Sequence, residues 1–344
     1  MKDKSSRTGI VAILKENKTL HLLLSGLFII VLVAATYWKS SDNGFVNWDD
    51  YAYVVDNELV RSPGDSYLKD LFTTPVSQNY HPLTILSLRL DNNICKSCPE
   101  GISPKPFIRG NIILHVLNSL LVLFLVFLLT DRNIIASFLV ALLFGIHPMH
   151  VESVAWISER KDVLYTFFFL AGLISYMYFK KRGQKKYLWL TATFILFIMS
   201  CLSKATAVVF PVVLILIDFW IEYTEDKPVQ KILTNTIFSK SIFLLIPFFI
   251  VSVFVGLLAF RIQDNQNFLG LLNLSKNMSD VVNTVRPFSL IQRFQVASYG
   301  FIVYIVKFFI PVNLYAFYPY PELKEFINGS FKFILWLSAA ATII

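Results

Sequence analysis

Two neighbouring carboxylates stand out in Phe45-Val46-Asn47-Trp48-Asp49-Asp50-Tyr51. Asp49 and Asp50 lie among aromatic residues of the kind that settle at a membrane–water interface, where a partly desolvated carboxylate can take a proton as a general base. The same pair can instead hold a divalent cation, because hard cations prefer carboxylate oxygens, or can close a solvated turn. A second group is His147-Pro148-Met149-His150-Val151-Glu152, followed by Glu159-Arg160-Lys161-Asp162. Its imidazoles and the Glu152 carboxylate suit a metal, its cations suit an anionic headgroup, and its alternating charges equally suit ordinary ion pairs. No H-E-x-x-H pattern occurs, so an intramembrane zinc protease loses its main support. His81 in His81-Pro82-Leu83-Thr84 is a single imidazole, and Lys204 in Leu202-Ser203-Lys204 is the one charge between two apolar runs. Its ammonium suits a lipid phosphate or snorkels from a helix end.

The composition says what kind of scaffold must position these residues. Of 344 residues, 55% are hydrophobic and only 16% charged, well below the charged fraction of about 25% in soluble domains. Apolar runs recur at about 20–38, 109–129, 133–147, 163–179, 188–203, 205–221, 241–260, 295–311 and 331–344, giving nine candidate membrane spans. Lys plus Arg is 31 against 23 for Asp plus Glu, a net charge of +8. The basic residues cluster beside the apolar runs, so the charge reads as membrane topology and no nucleic-acid partner is expected. No Walker A loop, dinucleotide fingerprint or hydrolase elbow is present.

Alternating the spans from a cytoplasmic tail at residues 1–19 puts Arg132, the cluster from Lys180 to Lys186 and the segment from Lys227 to Lys240 on the cytoplasmic side. The same walk puts 39–108, 148–162, Lys204 and 261–294 on the opposite, extracytoplasmic side. The chemistry-bearing residues therefore gather at one membrane face. A transporter would place ionisable groups at the bilayer midplane instead, so the pattern favours surface chemistry over translocation. In the long first loop, Tyr67, Leu68, Leu71 and Phe72 form a stripe suited to a short helix at the membrane surface. Cys95 and Cys98 can close a small disulfide, while Cys201 reads as a buried apolar residue.

The ordered words Asn47-Trp48-Asp49-Asp50, His81-Pro82-Leu83-Thr84, His115-Val116-Leu117-Asn118, His147-Pro148-Met149-His150-Val151-Glu152, Glu159-Arg160-Lys161-Asp162, Leu202-Ser203-Lys204 and Leu216-Ile217-Asp218 resemble the membrane domain of the transmembrane and tetratricopeptide-repeat protein O-mannosyltransferase family and its bacterial relatives. That family belongs to the C-type glycosyltransferase superfamily. The resemblance implies an all-α, polytopic helical bundle over 20–344, truncated before the family's carboxy-terminal repeat array. It implies an integral membrane enzyme, in a bacterial inner membrane rather than an endoplasmic reticulum. Such an enzyme moves a sugar, typically mannose, from a polyprenyl-phosphate donor to Ser or Thr hydroxyls of a protein acceptor outside the cytoplasm. By matching motif, Asp49 and Asp50 are the catalytic carboxylates, with the choice between them open. Arg160, Lys161 and Lys204 stabilise the departing phosphate, His81, His147, His150 and Glu152 orient the donor or a metal, and Asp49, Asp50, His150 and Glu152 are the candidate ligands of a divalent cation. Transfer to a lipid or cell-surface glycan, and a transporter or flippase of lipid-linked sugars, are the alternatives. The stretch from Cys95 to Pro106 has no counterpart in the family pattern.

Overall fold

The computed structural model describes residues 18–62, 64–94, 102–181, 185–224, 240–264, 290–315, 318, 334–338 and 342. The expectations for residues 1–17, for Cys95 and Cys98, and for most of 225–289 lie outside these residues. The described residues form helices and irregular turns with no strand. Residues 1–263 make one compact unit and 264–344 a second.

In the first unit, α1 (Lys18–Tyr37) leads through a 3₁₀ turn into the long first loop. That loop holds a π-helical turn at Tyr51–Val55 and three short helices, α2 (Glu58–Arg61), α3 (Tyr67–Thr73) and α4 (Pro82–Ile94). Then follow α5 (Pro104–Leu129), α6 (Ile134–Ile146), α7 (Val151–Ala155), α8 (Arg160–Lys180), α9 (Lys186–Ser203), α10 (Phe210–Tyr223) and α11 (Lys240–Asp264). The second unit holds α12 (Leu290–Phe309). Among the described residues six helices are long and apolar enough to cross a membrane, or seven if the bent pair α6 and 148–155 counts as one span. The chain is a multi-pass membrane protein. The run at 133–147 is a 13-residue helix that breaks by 49° at the following turn, where Pro148 has no amide to continue the ladder. The run at 331–344 lies largely outside the described residues.

Helix starts follow their capping residues. The Ser103 hydroxyl accepts from the Lys105 amide with Pro104 at the first position, and the Asn133 side chain accepts from Ala136 at 3.1 Å. Asp131 and Arg132, at φ 48° and 66°, turn the chain from α5 into α6. Buried Ile29, Val33, Phe107, Ile108 and Ala141 form one apolar cluster around α1, α5 and α6, while Phe197, Phe210, Leu214 and Phe248 form another among α9, α10 and α11.

A polar stripe runs through α5. Asn111, His115 and Asn118 recur at helical spacing on one face, and all three are buried. Asn111 donates to the Trp156 carbonyl at 2.8 Å, His115 Nε2 to the Gly145 carbonyl at 2.9 Å, and Asn118 to the Val163 carbonyl at 2.8 Å. An amide without a partner is costly inside an apolar bundle, so these bonds fix α5 against the 145–163 segment. They bring the loops before and after α7 to the same end of the bundle as the first loop.

Candidate active site

The carboxylate pair begins a turn of helix at Asp49 that passes into the π-helical turn, closed by the Asp56 amide donating to the Tyr51 carbonyl at 2.8 Å. An i to i+5 turn adds a residue to the local winding and recurs at functional sites. It docks against the segment leading into α8 through three contacts in parallel register. Trp48 meets Trp156 edge to face with ring centres 5.7 Å apart. Asp50 accepts from the amide of Ser158 at 3.1 Å and from its hydroxyl. The Lys161 ammonium lies 4.9 Å from the centre of the Tyr53 ring.

These contacts distinguish the two carboxylates. Asp50 is wholly buried and also accepts from the Val46 amide at 2.8 Å. Both its oxygens are occupied, so its work is to bind the first loop to the start of α8. Asp49 is half-buried and accepts no hydrogen bond from the described residues, which leaves it the carboxylate able to meet a substrate hydroxyl.

The cations divide in the same way. Arg160 is 2% exposed. Its Nη2 donates to the Phe107 carbonyl at 2.7 Å and pairs with Asp91, Nε donates to the Asn111 side chain, and Nη1 to Ser87 at 3.3 Å. Burial pushes the Asp91 carboxyl up, and the Arg160 guanidinium opposes that rise. Arg160 thus ties α4, α5 and α8 together. Gly110 makes room for it, since a Cβ there would overlap Arg160 Nη2 and Asp91 Oδ2. Lys161 and Lys204 instead share a small network. Lys161 reaches Glu159 at 2.9 Å, Lys204 pairs with Asp162 and lies 3.7 Å from Glu159, and Ser153 donates to Asp162 at 3.1 Å. The Lys204 side chain keeps 27% of its surface exposed, so it retains access to a ligand.

His81 stacks on Tyr53, ring centres 5.0 Å apart and planes within 7°. It is 4% exposed and its Nε2 has no hydrogen-bond partner. Burial, reinforced by the Lys161 and Lys204 ammoniums, pulls its pKa from 6.5 to about 3, so the ring is neutral at physiological pH. Burial also raises the Tyr53 phenol above its ordinary value, as do the negative charges of Asp49 and Glu159. Thr84, at the start of α4, donates to the Ser203 carbonyl at 2.9 Å and so ties the His81 turn to Lys204.

His147 and His150 belong to a neighbouring aromatic cluster. His150 lies 4.6 Å from Phe144, 5.4 Å from His115 and 6.4 Å from His147, ring centre to ring centre. His147 Nδ1 accepts from the Met149 amide at 3.3 Å and starts the turn into α7, where Glu152 is exposed. Among the described residues no three His, Cys, Asp or Glu side chains converge in a way that fits a metal ion. Asp50, with both oxygens engaged, is a poor ligand for one.

The structure thus brings Asp49, Asp50, His81, Arg160, Lys161 and Lys204 together at one end of the bundle and adds Tyr53, Asp91, Asn111, Ser158, Glu159 and Asp162. At the other end Lys180 pairs with Asp218 at 3.0 Å, and Tyr176 donates to the same carboxylate at 2.9 Å.

Comparison with known proteins bears out the resemblance carried by the motifs. The chain is 33% identical over 165 residues to Protein O-mannosyl-transferase TMTC3 of Mus musculus, covering 45% of this chain and 17% of that protein. It is 35% identical over 150 residues to Protein O-mannosyl-transferase TMTC1 of the same species, covering 41% and 15%. It is 30% identical over 235 residues to Protein O-mannosyl-transferase Tmtc2 of Drosophila melanogaster, covering 63% and 24%. The chain therefore spans less than a quarter of the length of these relatives. No protein-family model matches the chain, and no solved structure matches it significantly.

Proposed function

We propose that the chain is the membrane domain of a glycosyltransferase that moves a sugar, mannose by analogy with the O-mannosyl-transferase relatives, from a polyprenyl-phosphate donor to Ser or Thr hydroxyls of proteins. The observation that carries this reading is a half-buried, unbonded carboxylate, Asp49, at the same bundle end as two partly accessible ammoniums, Lys161 and Lys204.

In this reading Asp49 takes the proton of the acceptor hydroxyl as its oxygen bonds to the anomeric carbon. The bond from that carbon to the phosphate oxygen breaks, and the phosphate leaves with the electron pair. A single displacement at the anomeric carbon, with Asp49 as the base, inverts its configuration. The lipid phosphate gains a negative charge as it becomes a monoester, and preorganised ammoniums stabilise charge that develops in the transition state. Lys161 and Lys204 supply them, exchanging part of their contact with Glu159 and Asp162. Arg160 supports the wall behind them, Asp50 holds Asp49 in place, and His147, His150 and Glu152 orient the donor. The reaction face is extracytoplasmic, with the basic ends of α8 and α9 in the cytoplasm.

The test is transfer of labelled mannose from polyprenyl-phosphate mannose, in membranes holding the full-length protein, with separate recovery of protein, lipid and glycan. Label on Ser or Thr of protein supports the proposal. Label on lipid or glycan alone moves the acceptor to those classes, and an intact donor with folded enzyme overturns the reaction.

A further inference from the structure

Lys161 has a long, flexible side chain, and a phosphate-binding cation is useful only if something holds it in place before the phosphate arrives. Its ion-pair partner, Glu159, lies only two positions away and also faces Lys204. Its other support is the Tyr53 ring, 4.9 Å from the ammonium. Tyr53 is wholly buried, sits in the middle of the π-helical turn that follows Asp49, and is stacked on His81. Its hydroxyl receives only a long 3.5 Å contact from Asn79. The face of the ring, rather than the phenol oxygen, is therefore the part in use. The aromatic quadrupole attracts a cation on that face, and burial strengthens the attraction.

We propose that Tyr53 is a positioning residue for Lys161. Its ring, backed by His81, holds the ammonium at the height where a lipid-linked phosphate is bound. This rests on the assignment of Lys161 to the donor phosphate made above. It extends that assignment to a residue that neither binds the donor nor takes part in proton transfer. Because Tyr53 follows Asp49 by one helical turn, the arrangement also sets the spacing between the carboxylate and the cation from a single segment of chain.

The experiment measures binding of polyprenyl phosphate, the expected product, to the full-length protein in nanodiscs, alongside donor KM and kcat. Four variants are compared: Lys161→Gln, Tyr53→Leu, Tyr53→Phe and the double variant Lys161→Gln with Tyr53→Leu. Tyr53→Leu is expected to weaken binding and raise donor KM by about three- to thirtyfold, the range of cation–π contacts from exposed to desolvated, while kcat changes less. Tyr53→Phe, which keeps the ring face, should restore most of the affinity. In the Lys161→Gln background, Tyr53→Leu should add little. A Tyr53→Leu variant that binds as the wild type does, or a Tyr53→Phe variant as defective as Tyr53→Leu, overturns the positioning role while leaving the phosphate assignment standing. So does a full, additive loss in the double variant. If Lys161→Gln alone leaves binding unchanged, the phosphate assignment fails, and this proposal fails with it.

Discussion

Around Asp50 the Val46 amide, the Ser158 amide and the Ser158 hydroxyl converge on one carboxylate, while the neighbouring Asp49 accepts nothing from the described residues. Identity and adjacency do not separate two such residues. What separates them is which one faces the segment before α8, and that depends on Ser158, more than a hundred positions away. His81 shows a different residue-scale effect, because its neutral state is maintained by its surroundings. Its folded-state pKa of about 3 lies below the ordinary 6.5, so the unfolded chain binds the proton more tightly. Its contribution to stability is present in full above about pH 6.5 and is lost as pH falls from there towards 3. Thermal melts between pH 7 and pH 5 should show a loss on the order of 2 kcal/mol from this group at pH 5. His81→Gln, which cannot be protonated, should show a shallower dependence. An unchanged slope would mean that His81 is not held neutral.

At the scale of elements, the Arg160 clamp joins α4, α5 and α8 through Asp91, Asn111, Ser87 and the Phe107 carbonyl. It works only because α5 carries no side chain at Gly110. Gly110→Ala forces its new methyl into Arg160 and Asp91, with an expected loss of about 2 kcal/mol or more. Gly256→Ala, where a Cβ would meet nothing within 4 Å, should be neutral or stabilising because alanine favours helix. Differential scanning of the two purified variants checks this, and equal melting temperatures would mean that the Arg160 clamp does not depend on Gly110. His115 and Asn118 stand in one motif of the sequence, but the stripe they form with Asn111 on one buried face of α5 emerges only from the structure. Its partners are not legible in the sequence either, since Trp156, Gly145 and Val163 contribute only carbonyls, which every residue carries.

For the whole molecule, alternating helix directions explain why residues from positions 49 to 204 share one end of the bundle. That much follows from counting spans, and the basic clusters at Lys180, Lys181, Lys185 and Lys186 mark the other end. The broken span at His147 and Pro148 was less legible, because a 13-residue apolar helix with a bend reads in sequence as one continuous run. Arg160, Lys161 and Lys204 looked alike as charges near span ends, and only tertiary contacts assign one to the wall and two to the accessible network. Orientation can be checked directly in a background with Cys95, Cys98 and Cys201 replaced by Ser. A membrane-impermeant maleimide added to intact cells should label Ser77→Cys and leave Lys185→Cys unlabelled until the membrane is permeabilised. The reverse pattern would invert the topology and place the site in the cytoplasm.

If Asp49 performs the chemistry and Asp50 holds it in place, losing the charge of each should have a different consequence. The most direct measurement compares Asp49→Asn with Asp50→Asn, in the full-length protein, for both sugar transfer and thermal stability. Asp49→Asn should keep the wild-type melting temperature and lose at least about a hundredfold in turnover, the usual scale for removing a general base. Asp50→Asn should lower stability by about 1–3 kcal/mol, because a carboxamide cannot accept on both sides from the Val46 and Ser158 donors. Transfer by Asp49→Asn at the wild-type rate, with Asp50→Asn stable and inactive, would exchange the two roles.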